Sequence, residues 1–137
     1  NDTAHAVYRW RQNNTVAAYI VETTAPDGYS GNIEIITAIT PTGNVLGTRV
    51  LSHQETPGLG DKIESRRSDW IYSFSGKVAT IEQAKQWAVK KDGGDFDQFT
   101  GATITPRAIV NAVYRAAQYI QQHPELADIP ANCEATL

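Results

Sequence analysis

Asp97-Gln98-Phe99-Thr100-Gly101-Ala102-Thr103-Ile104-Thr105-Pro106 is the stretch on which the reading of this chain turns. Pro106 suits the first turn of a helix, where its fixed φ fits and its missing N–H would have no partner. Thr105 before it reads as the N-cap, because a threonine hydroxyl can accept one of the orphan N–H groups of a helix start. Beyond Pro106, Ile109, Val110, Val113, Ala117 and Ile120 recur at three- and four-residue steps, with Arg107, Asn111, Arg115, Gln118 and Gln122 between them. That period predicts one long amphipathic helix. His123-Pro124 ends it, since the residue before a proline is pushed out of the α region. Residues 100–105 are then a small-residue loop feeding a helix N-terminus, where free N–H groups and the helix dipole favour an anion. Gly101 and Ala102 permit close backbone approach, and Thr103 supplies a hydroxyl. On spacing alone, an ordinary capped helix and an anion site both fit.

Toward the N-terminus the period changes to two. Residues 6–12 and 16–22 are rich in strand-favouring Val, Ile, Tyr and Trp, and Asn13-Asn14 between them predicts a hairpin. Ala25-Pro26-Asp27-Gly28-Tyr29-Ser30-Gly31 reads as a loop by composition. Residues 33–39 form a strand, Pro41-Thr42-Gly43-Asn44 turns the chain, and residues 45–52 return antiparallel to it. In His53-Gln54-Glu55-Thr56-Pro57-Gly58-Leu59-Gly60-Asp61-Lys62 the proline and two glycines fix a tight backbone. It is either a turn or a wall against a flat ligand, with exposed N–H groups as donors. The glycine–lysine spacing is wrong for a P-loop, and no long helix follows as a dinucleotide fingerprint requires.

Ser68 can cap a short helix over residues 69–74, with Gly76 as its C′ residue and Trp70 and Phe74 on one buried face. Thr80 and Gln83 have the spacing of a capping box, so a short helix follows there, then Trp87-Ala88-Val89 as a strand and residues 90–95 as a turn. Asp95 and Asp97 lack the calcium-loop pattern and read as a solvated acidic loop.

The chain has 137 residues, 41% apolar and 20% charged, which suits one domain spanning residues 1–137. A net charge of −3 leaves no basic footprint for nucleic acid. No apolar run reaches the roughly 18 residues a membrane span needs. Asn1 opens no signal peptide and reads as a mature or truncated start. Cys133, the single cysteine, lies in a Pro- and Ala-containing tail and allows no internal disulfide. His5, His53 and His123 lack metal-ligand spacing, so no metal site is expected, and each suits a surface or capping role. No Ser–His–Asp set or carboxylate pair marks a catalytic residue. The fold expected is α+β: an antiparallel twisted sheet with packed helices, the C-terminal one long.

Asp97-x-x-Thr100-Gly101-Ala102-Thr103 resembles the Asp-x-x-Ser/Thr-Gly-Ala-Thr signature of the FMN-binding domain family, and Glu55-Thr56-Pro57-Gly58-Leu59-Gly60 is similar to a second motif of that family. The resemblance runs from about residue 4 to residue 123. It implies that Thr103 carries FMN through a phosphoester bond, installed from FAD by a flavin transferase with magnesium. It further implies that Thr100, Gly101 and Ala102 approach the cofactor closely and that Asp97 serves the transfer step. Glu55, Thr56, Leu59, Gly60 and Lys62 would border the isoalloxazine ring, with Tyr29 and Ser30 as a second ring-side segment. Read by itself, Tyr29 is equally a loop aromatic packed on the core. Arg107 is either a partner for the phosphate or a plain surface arginine.

Within the family, the motifs look most like the G subunits of Rnf-type (SoxR-reducing) ion-translocating electron-transport complexes. The C subunits of sodium-translocating NADH:quinone reductases are the related alternative. They more typically lack a proline at the position of Pro106. This resemblance implies an electron-carrying subunit of a membrane-bound oxidoreductase complex, partnered by its other subunits and by the transferase during maturation. It implies a domain on the periplasmic side of a bacterial inner membrane, anchored by an N-terminal transmembrane helix that this chain lacks. An assembly module of the complex without obligate flavin turnover is the reading from another class.

Overall fold

The computed structural model describes residues 4–129, with side chains from residue 6 onward. Cys133 and the His5 side chain lie outside the described residues. Strands β1 (Ala4–Gln12), β2 (Thr15–Gly28), β3 (Gly31–Ile39) and β4 (Val45–Ser52) form an antiparallel meander in the order β1-β2-β3-β4. Asn13 and Asn14 both take left-handed backbone, φ 53° and 66°, as a two-residue hairpin turn of matching twist demands. Tyr19, Val21 and Ala25 on β2, with Ile33, Ile35 and Ile39 on β3, turn to one buried face. Helix α1 (Ile104–Gln122) lies across that face, against β2 and β3, and buries Ile109, Val110, Val113, Ala117 and Ile120 as their spacing predicts. The α+β architecture is therefore the one expected.

Four local readings are corrected. The stretch 25–31 is not a loop: β2 runs on to Gly28, and only Tyr29 and Ser30 make the turn. An irregularity between Ala25 and Gly28 takes up Pro26, whose missing donor would otherwise break the ladder. Gly28 then closes the pair with Gly31; a Cβ there would stand 2.3 Å from the Gly31 carbonyl oxygen. Second, Trp87-Ala88-Val89 makes no strand, only a single bridge from Val89 to Phe96. Its β-forming residues serve the core instead: Trp87 meets Phe96 at 5.0 Å between centroids and donates its indole N–H to the Val78 carbonyl at 2.9 Å. Third, no capping box forms at Thr80. The turn over Ile81–Gln86 is a 3₁₀ helix whose first bond is Gln83 N–H to the Thr80 carbonyl. Fourth, α1 begins one residue after Thr103, not at Pro106. Pro106 sits third in the helix, still within the four positions whose N–H groups need no partner, so its ring is accommodated.

The region between sheet and helix is built from 3₁₀ turns around an aromatic cluster. Trp70 and Phe74 share a buried face, edge to face at 5.3 Å, and Phe74 packs on Phe96 at 4.7 Å. The Ser68 hydroxyl accepts the Trp70 N–H at 3.1 Å, but the turn is a 3₁₀ helix over Trp70–Phe74 with Asp69 as its N-cap and no side-chain cap, so Ser68 stands one residue too early to cap it. Among the described residues, no helix is long and apolar enough to cross a membrane.

Candidate functional site

The loop before α1 is held from behind by the aromatic cluster. Trp70 donates its indole N–H to the Asp97 carbonyl at 2.8 Å and sets its ring against Phe99 at 5.3 Å. From that anchored residue the Phe99 carbonyl accepts the Ala102 N–H at 3.1 Å, closing a tight turn over Thr100 and Gly101. Gly101 takes φ +75°, the left-handed value its place in the turn requires, and its flank is open, with Leu59 Cδ2 3.9 Å from where a Cβ would stand. Thr100 and Gly101 are exposed and Ala102 is half-buried. Thr103 stands at the N-cap position of α1, half-buried, and its hydroxyl makes no capping bond. The N–H groups of Ile104 and Thr105 behind it have no partner within the helix.

Opposite this turn is the segment following β4. Glu55 is 4% exposed, and its carboxylate accepts the Tyr29 N–H at 3.1 Å, the Ser30 N–H at 2.9 Å and the Thr105 hydroxyl. One side chain thus ties the β2–β3 turn to the first turn of α1. Gly60 is what lets them meet: a Cβ there would lie 2.8 Å from Thr105 Oγ1 and 2.9 Å from Glu55 Cβ. The Gly58 N–H is not an open donor; it donates to Asp61 Oδ1 at 2.9 Å. Asp61 is buried and faces Arg67 at 3.2 Å. The Thr56 carbonyl accepts the Leu59 N–H, which turns the exposed Leu59 side chain outward. Lys62 is half-buried in the 3₁₀ turn Gly60–Ile63, which packs against α1.

Tyr29 is 70% exposed, so its ring is not packed on the core. With Leu59 and Ile104, 42% and 44% exposed, it leaves large apolar surface on the three segments that converge at the helix start.

The charges are mostly committed to one another. Arg107 holds Asp92 through two bonds, 2.8 and 3.1 Å, so it is neither a bare surface arginine nor free for an anion. Asp97 pairs with Lys90 at 2.9 Å in the open, which raises the ammonium pKa. His53 is a loop linker rather than a surface group: Nδ1 accepts the Glu55 N–H at 2.9 Å and Nε2 meets Glu64 at 2.6 Å. The Arg66 guanidinium and then His53 pull the Glu64 carboxyl down to about 2. His123 pairs with Glu125 at the end of α1.

The structure therefore brings Thr100, Gly101, Ala102 and Thr103 together with Glu55, Leu59, Gly60, Tyr29 and Ser30, while Asp97 lies one turn back, facing Lys90. Sequence reasoning missed Thr105, His53 and Asp61 as parts of this constellation.

Thr103 thus stands half-buried at a helix start, beside a Gly-containing turn and an apolar rim. The profile of the FMN-binding domain family matches residues 28–118, and the chain belongs to that family. Among its relatives are proteins named as the G subunit of an ion-translocating oxidoreductase complex. The one from Shewanella oneidensis is 63% identical over 119 residues, covering 86% of this chain and 56% of that protein. Its Yersinia pestis counterpart is 57% identical over 132 residues, 96% of this chain and 63% of the relative. The Escherichia coli K12 protein is 59% identical over 128 residues, 93% and 62% of the two chains. The chain thus spans about 60% of the length of these relatives. The crystal structure of Shewanella oneidensis NqrC shares the fold, with a TM-score of 0.67 at 22% identity, over 88% of this chain and 60% of that one.

Proposed function

We propose that this domain carries electrons on an FMN esterified through its phosphate to the Thr103 hydroxyl, as part of the G subunit of an ion-translocating oxidoreductase complex. The observation that carries the reading is Thr103 itself: a half-buried hydroxyl at the first position before α1, with no capping bond, close behind a glycine in left-handed backbone. The N–H groups of Ile104 and Thr105 and the positive end of a 19-residue helix favour a phosphate at that point. Tyr29, Ser30, Thr56, Leu59, Gly60 and Lys62 would line the ring side, with exposed Leu59 and Tyr29 offering apolar contact. FMN supplies the redox chemistry when bound; the protein supplies position and electrostatics.

Maturation would run through a flavin transferase using FAD and magnesium: the Thr103 hydroxyl takes the FMN phosphoryl group and AMP leaves. Asp97 belongs to that step. An exposed carboxylate near the phosphate would repel it as a permanent neighbour but can engage magnesium or a cationic partner during transfer. The other subunits of the complex are the partners proposed, with a transmembrane anchor outside this sequence and the domain on the periplasmic side of the inner membrane.

The test is co-production with the transferase. Wild-type protein should be yellow, keep its colour after denaturation and bleach on reduction, while Thr103→Ala should fold alike and hold no covalent flavin. Flavin that survives denaturation of the Thr103→Ala protein would refute the attachment site.

A further inference from the structure

We infer that Glu55 is a positioning residue that acts through Thr105 and the Tyr29–Ser30 turn, setting the width of the groove between them, and not a group that contacts the ring. The inference rests on the reading of this groove as the flavin site. Both Glu55 oxygens are spoken for: Oε1 takes the Tyr29 N–H and the Thr105 hydroxyl, and Oε2 takes the Ser30 N–H. Three donors occupy three of the carboxylate's roughly four lone-pair sites, and at 4% exposure the side chain has little room to turn away from them. The groups it joins come from two separate elements, the β2–β3 turn and the first turn of α1, and Glu55 itself stands on a third, the segment after β4, so the carboxylate links both sides of the groove in one unit. His53 fixes its backbone from behind, by accepting the Glu55 N–H while bonded to Glu64. Gly60 leaves the space in which the Glu55–Thr105 bond closes.

Thr105 is the lever in this arrangement. Its hydroxyl is spent on Glu55 and not on capping the helix, although a threonine at a helix start usually caps. The fold has placed the latch where it links the helix bearing Thr103 to the turn bearing Tyr29. Loss of the latch should free the turn without unfolding the sheet, because the β2–β3 ladder up to Ala25 does not depend on it.

The experiment compares wild type, Thr105→Val, Thr105→Ala, Thr105→Ser and Glu55→Gln in two forms of the protein. In flavin-free protein, amide exchange at Tyr29 and Ser30 should quicken by about tenfold or more in Thr105→Val and Glu55→Gln, with exchange in β3 unchanged. Thr105→Ser keeps the hydroxyl and should return both amides to wild-type rates. In flavin-loaded protein, the visible circular dichroism of the bound flavin should weaken in Thr105→Val and recover in Thr105→Ser. Unchanged Tyr29 and Ser30 exchange in Thr105→Val would overturn the inference. So would loss of the whole fold in both Thr105→Val and Thr105→Ala, since the hydroxyl would then be structural. The exchange measurement needs no cofactor, so a failure of the flavin reading shows itself separately, as wild-type protein that takes up no flavin.

Discussion

Gly60→Ala is the substitution whose consequence can be worked most fully from the geometry. The new Cβ would stand 2.8 Å from Thr105 Oγ1 and 2.9 Å from Glu55 Cβ, where comfortable separations are about 3.5 Å. The neighbours must therefore yield by roughly 0.6–0.7 Å, and neither is the loose end of a flexible chain: both belong to the latch between the β2–β3 turn and α1. Overpacking of this kind costs about 1–3 kcal/mol. For a domain of this size that is a melting point lowered by about 4–10 °C. Gly58→Ala is the matched control. Its Cβ would meet nothing within 4 Å, but its φ of +81° is one that L side chains resist, so strain alone costs about 1 kcal/mol and the latch stays shut. Thermal melts of the two flavin-free variants, followed by the amide shifts of Tyr29 and Ser30, separate these effects. Gly60→Ala should melt lowest and move both amides; Gly58→Ala should melt a little low and move neither. A Gly60→Ala protein that melts with wild type and leaves both amides in place would refute the reasoning.

Asp97→Asn should melt like wild type, because its Lys90 pair lies in the open, yet accept flavin from the transferase slowly; a wild-type rate of mass gain in folded protein would remove Asp97 from the transfer step. The Glu64 carboxyl is held at about 2, below its unfolded value near 4.5, so its contribution is complete above that value and is lost as pH falls toward 2. After solvent screening this amounts to about 1 kcal/mol, and Glu64→Gln should flatten the acid limb of a melting-point-against-pH curve by that much. Phe74→Ala empties the centre of the aromatic cluster, where Phe74 touches Trp70, Trp87 and Phe96, and should cost about 3–5 kcal/mol in chemical denaturation.

What was legible in the sequence was local. Asn13-Asn14 announced a turn because two adjacent left-handed residues are tolerated by asparagine, and residues 33–52 announced a hairpin through two strand-like runs joined by Pro41-Thr42-Gly43-Asn44. The three- and four-residue steps from Ile109 to Ile120 placed the helix face that meets the sheet. What was hidden depended on partners far away in sequence. Glu55 finds Tyr29 and Ser30 some 25 residues before it and Thr105 50 residues after it, so nothing in its neighbourhood said which way the carboxylate would face. The same holds for Thr105, whose local chemistry favours capping and whose hydroxyl is claimed by the tertiary fold. Arg107 was open between two readings and took neither, because Asp92 comes within reach only once the 3₁₀ turn at Lys90–Asp92 has formed. Trp87 read as strand because aromatic residues favour strands, yet that preference reflects packing on a half-buried surface, and here the aromatic cluster supplied the packing without a ladder.

The mass of the intact, denatured protein after co-production with its transferase, followed by mapping of the modified peptide, bears most directly on the central claim. The account predicts a gain of one FMN less one water, carried on the peptide that contains Thr103 and absent from Thr103→Ala. An unmodified mass from protein made beside an active transferase and FAD, or the added mass on a peptide without Thr103, would contradict it.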